Sequence, residues 1–436
     1  MNPHRRDMGQ YIFPIEIWEP IFEVATSCAE EWEFGRLERS MTFWGRSPNT
    51  ITQWEDVLRT RRSLIAVSRL FYQLTTPLLY QSFFAVTSRQ VACFRWTLQT
   101  RPALGGYVKR LGLFTQLKPS VNAFYPHILT ICPNTVFCDT FCDRELSLSD
   151  LRPSTSLRSL ELGVTPEPKN VRRDPAFLHL FARILQVTPQ LEHLGLYWLP
   201  YGVKMTNSQP FASIRLGSLR SLHLRVCTPK FGFPDETRPT AWLFFSLTLP
   251  RLEDLLIEGR DLAADVLNRI PASWLRNIHQ FYVTHDSFAK CSLKPNHFPL
   301  LRKFTLDFSL TRAFPGAKVH EKLPFIQLEE IELFYCATPI NLEHDTGFGA
   351  LHWVLRLCAA KAVTPRLRSI SMDITDLEEE RRLLSTKTVR KRLYDLQTIV
   401  DRIVARGIDV KGLGSSSLQP SLRKLIKNVE TWVLEP

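Results

Sequence analysis

The sequence lacks the long apolar runs that mark membrane and secreted proteins. No stretch approaches the roughly 18 uninterrupted apolar residues that a membrane helix requires, so no membrane span is predicted. The polar beginning, residues 1–10, is followed by an apolar segment that contains Glu16 and Glu19, which is not the core of a signal peptide. We therefore expect an intracellular protein, cytoplasmic, nuclear or both, with no membrane partner.

The cysteines form no recognisable framework of disulfides. They number nine, an odd count, and they are scattered along the chain. Cys132, Cys138 and Cys142, with His127 nearby, could suggest a metal site, but their spacings match no common zinc motif. Buried, apolar cysteines are the favoured interpretation, and we expect neither a metal nor another cofactor.

Common catalytic motifs are also missing. The chain contains no Gly-x-x-x-x-Gly-Lys-Ser/Thr loop, no His-Glu-x-x-His motif and no Gly-x-Ser-x-Gly elbow. The stretch that begins at Gly412 is rich in glycine and serine but has no lysine in the position of a phosphate loop. His285, Asp286 and Ser287 are adjacent, whereas catalytic partners meet through the fold. The sequence therefore predicts no catalytic residues and a protein that is not an enzyme.

The sequence does contain a repeated motif, Leu-x-x-Leu-x-Leu. Copies begin at Leu157, Leu191, Leu219, Leu252, Ile278, Leu301, Leu328 and Leu367, at intervals of 23 to 39 residues, with a fainter copy at Val108. The last two apolar positions have the period of a strand with one buried face. Because one unit cannot bury its apolar side alone, the copies must stack into a continuous core.

Segments between the copies show helical spacing, best at residues 174–190 and again from Phe348 to Cys358. A strand followed by a helix or an irregular segment predicts an α/β fold, an irregular leucine-rich-repeat solenoid with parallel strands on its concave face. An ordinary α/β domain with leucine-rich strands is the alternative. A doubly wound sheet would also need glycine-rich turns, and the chain has only 18 glycines.

The formal net charge of +12 raises the question of nucleic acid. The basic residues are dispersed, however, and several follow the first leucine of a repeat: Arg158, Arg220, Arg302 and Arg368. We expect these four to be exposed on turns. A solvated surface is favoured and nucleic-acid binding is unlikely, although a basic surface for an acidic partner remains open.

The first hundred residues lack the repeat and contain apolar helical patterns instead. They occupy residues 13–25, 62–74 and 77–84, with an insertion at about 27–61 that could hold a short helix from Ile51 to Arg59. So many large apolar residues exceed what a small bundle can bury, which favours a partner over simple capping of the repeats.

These segments resemble the F-box domain of fungal F-box proteins. Phe13-Pro-Ile-Glu-Ile-Trp-Glu-Pro-Ile-Phe22 matches the family's Leu-Pro-x-Glu-Ile-x-x-x-Ile-Phe, and the stretch from Leu64 to Phe83 matches its later part. The resemblance covers about residues 11–115 by motif. It implies a substrate-recognition adaptor of a Skp-cullin-F-box ubiquitin ligase, in which the F-box binds the Skp adaptor and the repeats bind a protein substrate.

The resemblance also implies which residues make contacts, by helix-in-groove recognition. By this resemblance, the apolar residues expected to contact the Skp adaptor are Phe13, Pro14, Ile17, Ile21, Phe22, Leu64, Val67, Leu70, Leu74, Leu78 and Leu79. The polar residue between the last two apolar positions of a motif copy is a weaker candidate for substrate contact. Examples are Glu161, His223 and Glu332.

Two departures from the family favour a second hypothesis, a leucine-rich-repeat scaffold without ligase recruitment. Pro20 lies inside the first predicted helix, at a cost of about 3 kcal/mol unless the helix kinks. The insertion at 27–61 is the other departure.

The chain thus divides into a polar tail at 1–10, an F-box-like helical module at 11–90, a solenoid at 91–374 and a helical region at 375–436. The last region is predicted as a cap of the solenoid, with a partner-binding helix as the alternative.

Overall fold

A computed structural model describes the chain in segments. The described residues are 15–26, 48–85, 87–113, 130–142, 155–164, 182–199, 202–203, 213–226, 238–239, 244–258, 266–284, 288, 291–292, 295–308, 327–334, 346–359, 364–373 and 386–412. The chain divides into two compact units. The first is Met1–Phe141 with Glu145–Leu157, and the second is Cys142–Arg144 with Arg158–Pro436.

The first unit combines helices with three parallel strands. Its elements are α1 (Ile15–Thr26), α2 (Pro48–Ile65), α3 (Arg69–Gln81), β1 (Ser82–Ala85), α4 (Ser88–Thr100), a 3-10 segment (Pro102–Tyr107), β2 (Arg110–Leu113) and β3 (Phe137–Cys142). Ser68 begins α3 by accepting a hydrogen bond from the Phe71 amide at 3.1 Å. Thr87 and Gln90 form a capping box at the start of α4.

Two helix boundaries differ from the sequence prediction. The short helix expected from Ile51 to Arg59 is part of a longer one, α2, and the segment predicted at 62–74 is divided by a turn before α3. Phe83, predicted on a helix, instead lies in β1 and pairs with Leu111 of β2. The Phe83 ring stacks on Phe94 at 3.7 Å between centroids. Pairing with a distant strand therefore overrides the local helical pattern.

The second unit is a solenoid-like α/β repeat. Its strands are β4 (Ser159–Val164), β5 (His193–Leu199), β6 (Gly202–Val203), β7 (Ser221–Val226), β8 (Arg238–Pro239), β9 (Asp254–Glu258), β10 (Gln280–Thr284), β11 (Lys303–Asp307), β12 (Glu330–Phe334), β13 (Ser369–Asp373) and β14 (Asp409–Gly412). Its longer helices are α5 (Thr346–Ala359) and α6 (Thr386–Ala405). The strands β6 and β8 form a separate antiparallel pair.

The other strands pair in parallel, in chain order. Leu160 of β4 pairs with Leu194 of β5, Leu194 with Leu222, and Leu222 with Leu255. A repeated backbone contact sets this register: the carbonyl just before each strand accepts hydrogen bonds from the next repeat. The Arg158 carbonyl, for example, accepts from the Glu192 and His193 amides at 2.7 and 3.0 Å.

The repeated apolar positions form the core, as predicted. The starting residues Leu157, Leu191, Leu219, Leu252, Ile278, Leu301, Leu328 and Leu367 are all buried. So are the two apolar positions of each strand, because alternate residues of a strand point to the same side. The α/β class and the parallel strands are thereby confirmed. Arg220, Arg302 and Arg368 are exposed as expected, and Arg158 is half-buried.

The helical patterns later in the chain are partly confirmed. The helix predicted from Phe348 to Cys358 lies within α5, and residues 182–187 are helical within the longer prediction at 174–190. The solenoid was expected to end at residue 374 and be followed by helices alone, but β14 adds one more strand, in which Lys411 pairs with Ser371. Gly407 makes the turn from α6 into β14 with a φ of 79°, which favours glycine.

No helix within the described ranges is long and apolar enough to cross a membrane.

The buried aromatic cluster around β11 provides a test of this core. Phe304 is fully buried and lies 5.0 Å from Phe288 and 5.9 Å from Phe281, between ring centroids. We expect Phe304→Ala to lower the free energy of unfolding by about 3–5 kcal/mol in chemical denaturation, because it removes a ring and leaves a cavity. Leu300→Ala, in the exposed turn before β11, is the control and should change it by less than about 1 kcal/mol.

Candidate functional site

The strands of the second unit present a polar face opposite their buried apolar side. We call this side the polar face. It comprises alternate positions of each strand, which the parallel register aligns across neighbouring strands. One such row runs from His193 through Ser221, Asp254 and Gln280 to Lys303. The face is a candidate binding surface because its charged groups are concentrated by the fold.

A histidine pair occupies one end of the polar face. His193 Nε2 lies 3.4 Å from Glu161 Oε1, and the rings of His193 and His223 meet edge-on at 4.6 Å between centroids. His223 Nε2 lies 3.2 Å from Ser221 Oγ. Both histidines are almost fully buried, at 7% and 4% exposure.

Burial keeps His223 neutral. Desolvation, followed by repulsion from His193, lowers the pKa of His223 to about 3, and Glu161 only partly opposes this shift. The Nδ1 atoms of His193 and His223 are buried, and neither has a hydrogen-bond partner among the residues that the structure describes. A buried polar atom that makes no hydrogen bond lowers the stability of the folded protein by about 1–3 kcal/mol, so the two histidines are a source of instability at this end of the polar face.

Two carboxyl groups on β9 are also perturbed. Burial, with repulsion from Glu253, raises the pKa of Asp254 to about 7 against the opposing influence of His193 and Lys303. Burial raises the pKa of Glu258 to about 7 as well, although Arg225 lies only 3.1 Å away. Both groups therefore change charge near neutral pH.

Toward the other end of the polar face, hydrogen bonds join β10 to β11 and β11 to β12. The Tyr282 hydroxyl donates to Asp307 Oδ2 at 2.7 Å, and the Thr305 hydroxyl donates to Glu332 Oε2 at 3.1 Å. The Lys303 ammonium lies 2.5 Å from Glu332 Oε1. These contacts fix the side chains in place and leave little freedom at this end.

All three residues predicted for substrate contact lie on the polar face. Glu161 is partly exposed, whereas His223 and Glu332 are buried beneath their neighbours. Sequence reasoning missed His193, Asp254 and Glu258, which stand at the first and last positions of their strands. The same alternation would have found them, because each stands two residues before or after the central position of its own strand, Gly195 in β5 or Leu256 in β9.

The helices of the first unit present the second candidate surface. Trp18, Phe22 and Phe71 form an aromatic cluster with ring centroids 4.8 to 5.5 Å apart, which packs α1 against α3. Of the residues predicted to contact a partner, Phe22 therefore belongs to the core of the helical module. The buried Arg61 of α2 ties down the end of α1, where its guanidinium donates to the Thr26 carbonyl at 2.7 Å.

An apolar stripe lies on the other side of α1. Ile17 and Ile21 are 44% and 45% exposed, and Val24 is more exposed still. Their spacing of four and three residues places them on one helix face. We call these three residues the α1 stripe. Within the first unit the α1 stripe is exposed, whereas Phe22 on the same helix is buried.

The remaining predicted contacts are mixed. Val67 is exposed in the turn between α2 and α3. Phe13 and Pro14 lie outside the described residues. The others are half-buried: Leu64, Leu70, Leu74, Leu78 and Leu79.

The cysteine cluster was favoured as buried and apolar. Cys132 and Cys138 are indeed buried, and burial raises the pKa of the Cys132 thiol to about 12. The side chains of His127 and Cys142 lie outside what the structure describes. Within the described residues, no group of three or more His, Cys, Asp or Glu side chains could hold a metal ion.

No protein-family model and no curated protein matches this chain. The candidate surfaces therefore have to be interpreted from their own chemistry.

The raised pKa of Asp254 predicts a dependence of stability on pH. Since its pKa rises from 3.8 to about 7, the folded state binds the proton more tightly than the unfolded chain. This contribution to stability is complete below about pH 4 and is lost as the pH rises through 7. We therefore expect the free energy of unfolding of Asp254→Asn, relative to that of wild type, to rise by about 2 kcal/mol as the pH increases from 4 to 8. Urea unfolding at a series of pH values measures this difference.

Glu192→Gln is the control for this measurement, because it removes the same charge from an exposed turn. A difference between Asp254→Asn and wild type that stays constant with pH would contradict the prediction.

Proposed function

We propose that this protein is the substrate-recognition subunit of a Skp-cullin-F-box ubiquitin ligase. In this proposal the helices of the first unit bind the Skp adaptor, and leucine-rich repeats in the second unit bind a protein substrate. The observation that carries the proposal is the α1 stripe, an exposed apolar surface on a helix whose opposite side packs in an aromatic core. The role is non-catalytic.

The α1 stripe has the character of a helix-in-groove interface. Ile17, Ile21 and Val24 would enter an apolar surface of the adaptor as anchors. Full burial of such a side chain contributes about 1.5–3 kcal/mol, so a few of them can dominate the affinity. Val67, exposed in the turn after α2, is a further apolar contact.

The packing of the module supports a defined surface. The Trp18, Phe22 and Phe71 rings fix α1 on α3, and Arg61 fixes the carboxyl end of α1. A helix that is held at both positions presents its exposed side chains in one orientation. Less conformational entropy is then lost when the partner binds.

A scaffold of leucine-rich repeats that recruits no ligase is the second candidate. It is favoured by Pro20, which lies inside α1 between Ile17 and Ile21 of the stripe. Proline removes a backbone hydrogen bond and strains the preceding turn, which would alter the geometry of an F-box helix.

Co-purification with the Skp adaptor tests the proposal. We expect the full chain to retain the adaptor, and Ile17→Asp or Ile21→Asp to reduce retention about tenfold or more, because a charge would be buried in an apolar interface. Trp96→Asp is the matched control, since Trp96 is 67% exposed on α4 of the same unit, and it should retain the adaptor.

Circular dichroism and thermal unfolding of each variant establish that it is folded. A folded wild-type chain that retains no adaptor would refute ligase recruitment and leave the scaffold as the better account. Equal losses in Ile17→Asp and Trp96→Asp would assign the effect to added charge and remove the α1 stripe from the interface.

A further inference from the structure

The polar face of the second unit is acidic, although the chain as a whole is basic. The sequence has 55 lysines and arginines against 43 acidic residues. Among the described side chains of the polar face, the balance is reversed. Its carboxylates are Glu161, Asp254, Glu258, Asp307, Glu330, Glu332 and Asp409, and its cations are Arg225, Lys303 and Lys411.

The cations of the polar face are already engaged by its carboxylates. Arg225 pairs with Glu258 at 3.1 Å, Lys303 with Glu332 at 2.5 Å, and Lys411 with Asp409 at 2.8 Å. Each cation therefore already has a carboxyl group beside it. An anionic ligand would have to displace these pairs, whereas a cationic ligand meets carboxylates that are not fully buried, Glu161, Asp254 and Glu330.

The carboxylates follow the parallel register across the sheet. Neighbouring strands lie about 4.8 Å apart, so groups on β9 and β11 are about 10 Å apart. Glu258 and Asp307 occupy such positions, although both are buried, and Asp307 is close enough to raise the pKa of Glu258. An extended chain that crosses the strands can reach carboxylates on several strands, which a compact ligand cannot do.

Groups without partners mark the centre of the site. Asp254 is only partly buried, and it makes no hydrogen bond or ion pair with a described residue. The Nδ1 atoms of His193 and His223, nearby on the same face, are buried and have no partner either. His193 faces Glu161 through Nε2, so a proton on Nε2 leaves Nδ1 as an acceptor. A carboxyl and two nitrogens that make no hydrogen bond with a described residue call for a ligand that donates hydrogen bonds.

We propose that the polar face binds an extended, lysine- or arginine-rich segment of a protein, with one cationic side chain seated at Asp254 between Glu161 and Lys303. This inference rests on the proposed function and deepens it, because it names the class of substrate that the repeats recognise. Ammonium and guanidinium groups both donate several hydrogen bonds and carry the required charge. Burial lowers the pKa of His223, so its neutral imidazole does not repel the incoming cation.

The elevated pKa of Asp254 agrees with this chemistry. Burial makes its ionised form costly in the free protein, and an ion pair with a ligand would compensate for that cost. Binding would therefore release a proton near neutral pH. Calorimetric titration in two buffers with different ionisation enthalpies measures this release.

Fluorescence anisotropy with the full chain tests the proposal. The probe is a short labelled peptide in which arginines alternate with serines, and its counterpart has glutamates in place of the arginines. We expect the arginine peptide alone to bind, with affinity that falls as salt is raised. Asp254→Asn should weaken binding about tenfold, and Asp254→Lys should abolish it.

Glu192→Gln is the matched control, since it removes one carboxylate from an exposed turn outside the polar face, and it should bind as wild type does. Equal binding of both peptides, or equal weakening by Asp254→Asn and Glu192→Gln, would overturn the proposal. So would a labelled oligonucleotide that binds while the arginine peptide does not, since the net charge would then act on nucleic acid.

The outcome is separable from that of the adaptor experiment, because this assay contains no Skp adaptor. Retention of the adaptor without peptide binding would refute the basic substrate alone. Peptide binding without adaptor retention would refute ligase recruitment and leave a repeat protein that binds basic segments.

Discussion

The second unit depends on one backbone contact that recurs from strand to strand. The carbonyl just before a strand accepts two amides of the next repeat, as Glu253 does from His279 and Gln280 at 2.7 and 3.1 Å. A shift of one residue would turn every leucine outward and every carboxylate inward. This contact therefore fixes both the apolar core and the chemistry of the polar face, although it involves no side chain.

The consequence of this register is that charged groups are brought together whether or not they attract one another. Asp254 and Glu258 stand on the same side of β9, where burial raises both pKa values to about 7. Local pairing relieves only part of this cost, as Arg225 does for Glu258. A fold that keeps such groups buried gives up stability near neutral pH, which is characteristic of sites that bind ligands.

The strands and their buried positions were predictable because the apolar period of two is local and repeats in the sequence. Two features were not. Phe83 lies in a strand because β2, far along the chain, supplies its partner. The last strand was missed because its apolar alternation is short, with only Ile408 and Val410 on either side of Asp409, so the pairing of Val410 with Ile370 is what identifies it. Of the candidate site, Glu161, His223 and Glu332 were predicted, but not the burial that perturbs their neighbours.

The two candidate surfaces differ in the physics of recognition. The α1 stripe offers apolar area on a rigid helix, which contributes affinity and depends little on salt. The polar face offers charge in fixed rows, which contributes specificity and the rate of encounter more than affinity. A substrate held mainly by charge exchanges quickly, whereas a partner held by apolar anchors dissociates slowly. Under the proposed function, a stable contact at Ile17 and Ile21 with a short-lived one at Asp254 would let a recruiting subunit serve successive substrates.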